Sequence, residues 1–331
     1  MTAAAPSSLQ SEAARFEADA LCDVERLRTE LLDGAGALEL PVAFVLRSRG
    51  KRLRPLLLLS FACLGVPRPR PRRATLRAAA AVEILHEASL VHDDVVDGAV
   101  VRRGQPSVAE QFDVATACFL GAFMAGRALV ALAESSDEAG ASLDLEVVRR
   151  LSRGQLQEDL APPTSHALQT RRLFEIVDGK TGALFAFATG LGASMAAFEG
   201  GSAAPPVVVE GVARHFALAF QIRDDLADLE GDPHLRKPGG NDLARGLPTW
   251  PFHVWAQGQQ DADAAWARLR ESRGDVARAR ALQRDIVDAG VAREVRARIE
   301  RELSLVRALL DDVPDGPARR TLLRVVDEVR P

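Results

Sequence analysis

Aspartate carries the most specific chemical signal in this sequence. In EILHEASLVHDDVVDGAVVRRGQPS, Glu83 to Ser107, three stand together as Asp93, Asp94 and Asp97. Helix positions i and i+4 share one face and i+1 flanks them, so Asp93 and Asp97 stack with Asp94 beside them. The stretch Ile84 to Val91 leads into the acids, which predicts a helix with a buried stem and an acidic end. Crowded like charges repel unless a cation sits between them, and a hard, oxygen-seeking divalent ion suits carboxylates best. Further along, FQIRDDLADLEGD repeats the spacing as Asp224, Asp225 and Asp228, again after an apolar helical run, Phe216 to Ile222. One such cluster reads equally well as a solvated helix face. Two, each on an apolar helix and followed by basic residues, predict acid ladders that face each other. Mg2+ is held by one or two carboxylates plus substrate phosphates, so the pair reads as a pocket for a metal-bridged pyrophosphate.

The basic residues fit an anionic substrate. In RSRGKRLRP, Gly50 precedes Lys51, Arg52 and Arg54, and Pro55 opens an apolar helix. Proline is accepted in the first helical turn, so these cations flank a helix N-terminus and its unpaired N–H groups. A solvated basic loop is the alternative. Arg102 and Arg103 follow the first acid cluster, where paired guanidiniums suit bidentate phosphate contacts. In VDGKTGALFAFATG, Lys180 and Thr181 lie between Gly179 and Gly182, which weaken the helix and could expose carbonyls to a ligand. A surface kink is the alternative there. EGDPHLRKPGGNDLARGLPT, with Arg236, Lys237, Asp242 and Arg245, is a long Gly- and Pro-rich loop, read as a lid beside the second acid cluster.

Long helices must position these groups. Apolar residues recur at helical spacing over 11–32, 41–48, 74–97, 114–133, 143–160, 168–192 and 207–229, with a helix from Pro55 and charged amphipathic helices over 249–329. A loop is expected at 134–141. Strand signals are almost absent, so the fold class is all-α. Residues 1–10 read as a disordered tail and 11–331 as one domain. The 331 residues are 47% apolar, enough for a large core. A net charge of −4 gives no electrostatic footprint for nucleic acid. The three cysteines, Cys22, Cys63 and Cys118, form no disulfide or zinc pattern and suit a reducing compartment. There is no secretory pattern at the start, and no apolar run reaches the ~18 residues of a membrane span. The expectation is a soluble, cytoplasmic protein. No nucleotide-binding glycine pattern or Ser/His/Asp set is present.

Taken together, GKRLRP, EILHEASLVHDDVVD, RRGQPS, GKTGALF, FQIRDDLADLEGD and KPGGNDL, in this order between Gly50 and Thr249, resemble the trans-prenyltransferases, the polyprenyl (isoprenyl) diphosphate synthases. The resemblance implies an isoprenoid synthase-type bundle of long helices around a deep central cavity, in a homodimer. It implies that Asp93, Asp94, Asp97, Asp224 and Asp225, with Asp228 more often behind them, hold Mg2+, three ions per site. Arg102, Lys180 and Lys237 would contact the diphosphate of an allylic substrate. Thr181, Gln221 and the Lys180 carbonyl would face the allylic cation. Lys51, Arg54, His86 and Arg103 would bind isopentenyl diphosphate, and the released diphosphate would accept the proton. Two positions depart from the family pattern: Gly246-Leu247-Pro248-Thr249 stands for Gly-Lys-x-Thr, and Gly121-Ala122-Phe123 for Gly-Asp-Phe.

The resemblance also bears on product length. Short-chain relatives place bulky aromatics four and five residues before the first motif, where this chain has Ser89 and Ala88. These lie about 6–8 Å up the helix from Asp93. Small residues leave a shaft open for a product of C20 or more, with C25 or longer expected, its floor set by Leu85, Phe119 or Phe123. Alternative readings are a geranylgeranyl-length synthase, a class I terpene cyclase and a non-catalytic subunit of a heteromeric synthase.

Overall fold

The computed structural model describes residues 8–48, 50–159, 166–231 and 239–331. Helix follows helix. In chain order they are α1 (Ser8–Leu31), α2 (Glu39–Leu46), α3 (Leu53–Ala62), α4 (Arg73–Val96), α5 (Val108–Gln111), α6 (Val114–Ala139), α7 (Glu146–Asp159), α8 (His166–Val177), α9 (Ala183–Ser194), α10 (Ala196–Glu199), α11 (Pro206–Glu230), α12 (Asn241–Ala244), α13 (Trp250–Gln257), α14 (Ala262–Ser272), α15 (Val276–Asp288), α16 (Ala292–Leu310) and α17 (Pro317–Asp327). Among the described residues the only strands are β1 (Val101–Arg102) and β2 (Gln105–Pro106), paired antiparallel. The fold is all-α, as the periodicity predicts. α1 starts at Ser8, ahead of the expected Ser11, and residues 1–7 lie outside the described residues.

The chain forms two compact units. One comprises the chain up to Leu145, Leu184–Glu210 and Leu310–Val325; the other comprises Glu146–Ala183, Gly211–Leu309 and Val326–Pro331. The first is built around α4, against which α1, α3 and α6 pack. Its sequence ATLRAAAAVEIL combines the best helix former with side chains small enough for close neighbours, and Ala78 to Leu85 are all buried. Gly121 of α6 lies where a β-carbon would strike the His92 imidazole of α4.

α6 corrects one expectation. It continues to Ala139 instead of giving way to a loop at 134–141. The polar run there is held by tertiary contacts: Arg77 Nε donates to Ser135 Oγ at 2.8 Å and Arg77 Nη2 to Glu138 at 3.0 Å. Gly140, at φ 61, ends the helix in the left-handed form. By length and composition α6 could also cross a membrane, although no uninterrupted apolar run reaches that length, because Gly, Thr and Arg127 interrupt it in the sequence. Ala117, Leu120, Met124, Ala128 and Leu132 on this helix are buried within its own unit.

In the second unit the core gathers Phe252, Trp266, Leu269, Leu282, Ile286, Ile299 and Leu303, with Phe252 and Trp266 edge-to-face at 4.8 Å. Here α8 runs into a π-helical turn, Asp178–Gly182, before α9. The Gly179 and Gly154 backbones meet across α7 and this turn, since a β-carbon on Gly154 would stand 2.6 Å from the Gly179 carbonyl carbon. The glycines that weaken the helix around Lys180 thus also allow a neighbouring helix to lie against the bulge. Such bulges concentrate at functional sites.

Candidate active site

In the first unit, α4 ends at the acid cluster. Asp93 and Asp97 are half-buried, and Asp97 caps the helix by donating its N–H to the Asp93 carbonyl at 2.8 Å. Asp94 turns inward, 4% exposed, and accepts from Arg102 through Nε at 2.8 Å and through Nη2. Burial works against the Arg102 charge, but Asp94, with Asp93 and Asp97 beyond it, holds that guanidinium above its ordinary pKa. Arg103 and Gly104 occupy the hairpin turn, both at positive φ (52 and 77), as a type I′ turn requires. Arg103 is exposed and donates to Ser48 Oγ at 3.3 Å.

Of the cations expected to bind isopentenyl diphosphate, Arg54 and Arg103 lie within electrostatic reach of His86. Burial holds this imidazole well below its ordinary pKa, and the charges of Arg54, Arg103, Arg102 and Arg52 lower it further. Arg54 is buried with its guanidinium 4.4 Å from the Phe185 ring centroid, and Lys51 is exposed. The linkage sign follows directly. Below pH ~6.5 the unfolded chain protonates this histidine before the folded one does, so its contribution to stability is lost as pH falls. His86→Gln should therefore flatten the acid side of the stability curve. Between pH ~6.5 and the folded-state pKa, the variant should gain on the parent by up to about 1.4 kcal/mol per pH unit. Melting temperatures of both proteins across that range check this; parallel curves would contradict it.

In the second unit a hydrogen-bonded row joins the π turn to the second acid cluster. Thr181 Oγ1 donates to Gln221 Oε1 at 2.6 Å, and Gln221 Nε2 donates to Asp225 Oδ1 at 2.8 Å. The Trp250 N–H donates to the other Asp225 oxygen, also at 2.8 Å. Burial pushes the Asp225 carboxyl up to about 7; these two donors oppose the shift, while Asp224 and Asp228 add to it. Asp224 accepts from Arg223 at 2.6 Å. Asp228 accepts from Asn241 Nδ2 at 2.9 Å and from the Asp242 N–H at 3.0 Å, so its carboxylate ties down the segment after the second motif. Lys180 is half-buried in the π turn. Lys237 and Arg236, with the rest of 232–238, lie outside the described residues, and within the remainder of the expected lid Asn241–Ala244 form α12 where a loop was expected.

The donor chemistry suits a hard divalent cation. Both clusters offer carboxylate oxygen only, the donor type such a cation prefers. Among the described residues no three His, Cys, Asp or Glu side chains converge to hold a metal alone. A divalent cation held at either cluster would take further oxygen ligands from outside the chain, such as phosphate.

Leu85 and Ala88 are buried, while Ser89 and Phe123 are half-buried. Phe119 is 69% exposed and Ala122 is exposed, both on the outer side of α6 in its own unit. Ala88 lies four residues before His92, which touches the Cys118 carbonyl of α6, whereas Ser89 lies four before Asp93. Helix geometry thus puts Ala88 on the α6 side and Ser89 on the acid side. Leu247, at the first family departure, is half-buried.

Sequence reasoning passed over Arg28, Glu83, Glu87 and Trp250. Glu83 and Glu87, one helical turn apart in an otherwise apolar stretch, were a signal: buried acids require cationic partners. Nothing in the sequence pairs Trp250 with Asp225.

Helical architecture with two DDxxD clusters and a basic loop before an apolar helix defines the isoprenyl diphosphate synthase type of protein. Comparison with known proteins agrees. Residues 36–286 match the Polyprenyl synthetase family model, and the chain belongs to that family, whose members are prenyltransferases. It is 32% identical to nonaprenyl diphosphate synthase of Mycobacterium tuberculosis, over 92% of this chain and 90% of that one. It is 29% identical to heptaprenyl diphosphate synthase component 2 of Geobacillus stearothermophilus, over 93% and 94%. Among solved structures, polyprenyl synthase from Caulobacter crescentus CB15, complexed with calcium and isoprenyl diphosphate, superposes with a TM-score of 0.79 at 25% identity, covering 98% of each chain.

Proposed function

We propose that this chain condenses isopentenyl diphosphate head-to-tail onto an allylic diphosphate, by ionisation, condensation and elimination, and makes a product of C20 or longer, favouring C25 or more. One observation carries the reading. His86, set among Arg54 and Arg103, and Asp93 lie on one face of α4, seven residues and about 10 Å apart. An anion subsite beside an acid ladder suits two diphosphate substrates. A terpene cyclase needs only one.

Lys51, Arg54, His86 and Arg103 bind the isopentenyl diphosphate and set its double bond toward the primer. A neutral His86 accepts or donates a hydrogen bond there without adding charge. Asp93, Asp94, Asp97, Asp224 and Asp225 would hold Mg2+, three per site, and Asp228 steadies the segment that follows. When bound, the metal neutralises charge on the departing diphosphate. Arg102, Lys180 and Lys237 are the cations we assign to the allylic diphosphate. Thr181 and Gln221, anchored on Asp225, set neutral dipoles beside the forming cation and offer it no nucleophilic nitrogen. The proton released on elimination goes to the free diphosphate.

A second copy of the chain is the partner we propose for the outer face of α6, where Val114, Phe119 and Val130 are 58%, 69% and 58% exposed. The cytoplasm is the compartment that fits the free cysteines.

Product analysis by mass, using purified protein, Mg2+ and C5 to C20 primers with and without isopentenyl diphosphate, tests the assignment. Consumption of the primer alone would indicate a cyclase, and inertness with every primer would indicate a subunit needing a partner. The same assay checks chain length. Ser89→Phe should shorten the product by at least one isoprene unit, because its side chain stands on the acid side of α4. Ala88→Phe, on the α6 side, should mainly destabilise the protein, by about 1–3 kcal/mol of overpacking. Unchanged chain lengths from Ser89→Phe would refute the shaft.

A further inference from the structure

The segment carrying Lys51 and Arg54 bends at Arg52. This residue caps α3 at φ 51 and ψ 35, a left-handed conformation that residues with a β-carbon seldom adopt. Its side chain turns inward, 7% exposed, into a cluster of charges from two helices, α1 and α4. Nη1 donates to Glu83 at 2.8 Å and to Glu87 at 3.2 Å, and Nε donates to Glu25 at 2.5 Å. Arg28 of α1, fully buried, reaches Glu87 and Glu25 from the other side.

Three carboxylates here face two guanidiniums, and Arg103 lies close enough to supply the remaining charge. A β-carbon on Gly50 would stand 3.0 Å from Nη1 of both Arg103 and Arg52, and Glu83 and Glu87 are the acids whose charge acts most on Arg103. The two glutamates thus sit behind a basic loop, on the same helix as His86.

We propose that Glu83 and Glu87 are positioning residues for the isopentenyl diphosphate subsite, anchoring Arg52 inward and so holding the left-handed bend that sets Lys51 outward and Arg54 against Phe185. This rests on the function proposed above. Neither carboxylate need touch substrate, because both act through Arg52.

Steady-state kinetics on three variants of the full chain, each with a melting temperature, test it. Glu83→Gln and Arg52→Ala should each raise KM for isopentenyl diphosphate about tenfold, with kcat and the KM of the allylic primer within about twofold of the parent. The double variant Arg52→Gly with Glu83→Gln should return to within about threefold of the parent, because glycine takes the left-handed bend without an anchor. The proposal is overturned if Glu83→Gln leaves that KM unchanged. It is equally overturned if both KM values rise together, the mark of a merely structural role, or if the glycine double variant is as impaired as Arg52→Ala. A parent protein that consumes no isopentenyl diphosphate removes the functional reading and this inference together, which separates that failure from the other three.

Discussion

Asp93→Ala should lower kcat about a thousandfold or more, equivalent to ~4 kcal/mol of lost transition-state stabilisation, while the KM for isopentenyl diphosphate stays within about threefold. The reasoning starts from where the three acids of the first cluster point. Asp94 is buried and committed to Arg102, so part of its charge is already met within the chain. Asp93 and Asp97 are half-buried on one face at the end of α4, the position from which carboxylate oxygen can reach a cation shared with phosphate. Removing Asp93 takes away an interaction that strengthens as charge builds on the leaving group, so the loss falls on kcat. The cations around His86 lie two turns back along the helix and are left in place. Rapid-quench measurement of the first condensation, with the Mg2+ dependence of rate, checks both halves. A variant with near-parental kcat would show that this cluster does not hold the metal. A rise confined to the KM for isopentenyl diphosphate would mean that the roles of the acidic and basic ends of α4 have been misassigned.

How much of this was legible beforehand differs by level. The helices were, because the apolar spacing of α4, α6 and α11 is dense and their ends carry ordinary stop signals. The exception, the extension of α6 through Glu134 to Ala139, depends on Arg77, a residue far away in sequence that captures Ser135 and Glu138. Local polarity alone favours a loop there. At the site, the acid clusters and the basic blocks were legible because their chemistry is local and repeated. The supports were not. The Trp250 backbone meets Asp225 from the first turn of α13, 25 residues on, and a backbone N–H leaves no compositional trace. Arg28 appears in the sequence as one arginine among many, yet it is fully buried against Glu87. Phe119, named with Leu85 and Phe123 for the floor of the product shaft, lies exposed in its own unit.

Glu87→Ala should cost about 3–5 kcal/mol of stability, among the largest losses for any single substitution outside the apolar core. Glu87 is 3% exposed and accepts from Arg28 and Arg52, and Arg28 is 0% exposed. Taking the carboxylate away leaves Arg28 buried with Glu25 as its remaining carboxylate partner, a glutamate whose side chain is 44% exposed. Burial alone tends to lift the Glu87 carboxyl, with Arg28 the main opposing influence, so the two charges are mutually dependent. That dependence gives a sharper test than the single substitution. Replacing both partners, as Arg28→Met with Glu87→Leu, removes the need to desolvate either charge and should cost much less than the two single changes added together. Urea unfolding of the parent, both single variants and the double variant, with equal m values, supplies the cycle. A Glu87→Ala cost below about 1 kcal/mol would mean that water reaches the Arg28 guanidinium, as at an ordinary surface pair. The closed charge set behind the Lys51–Arg54 loop would then not exist as described, and the bend at Arg52 would need another support.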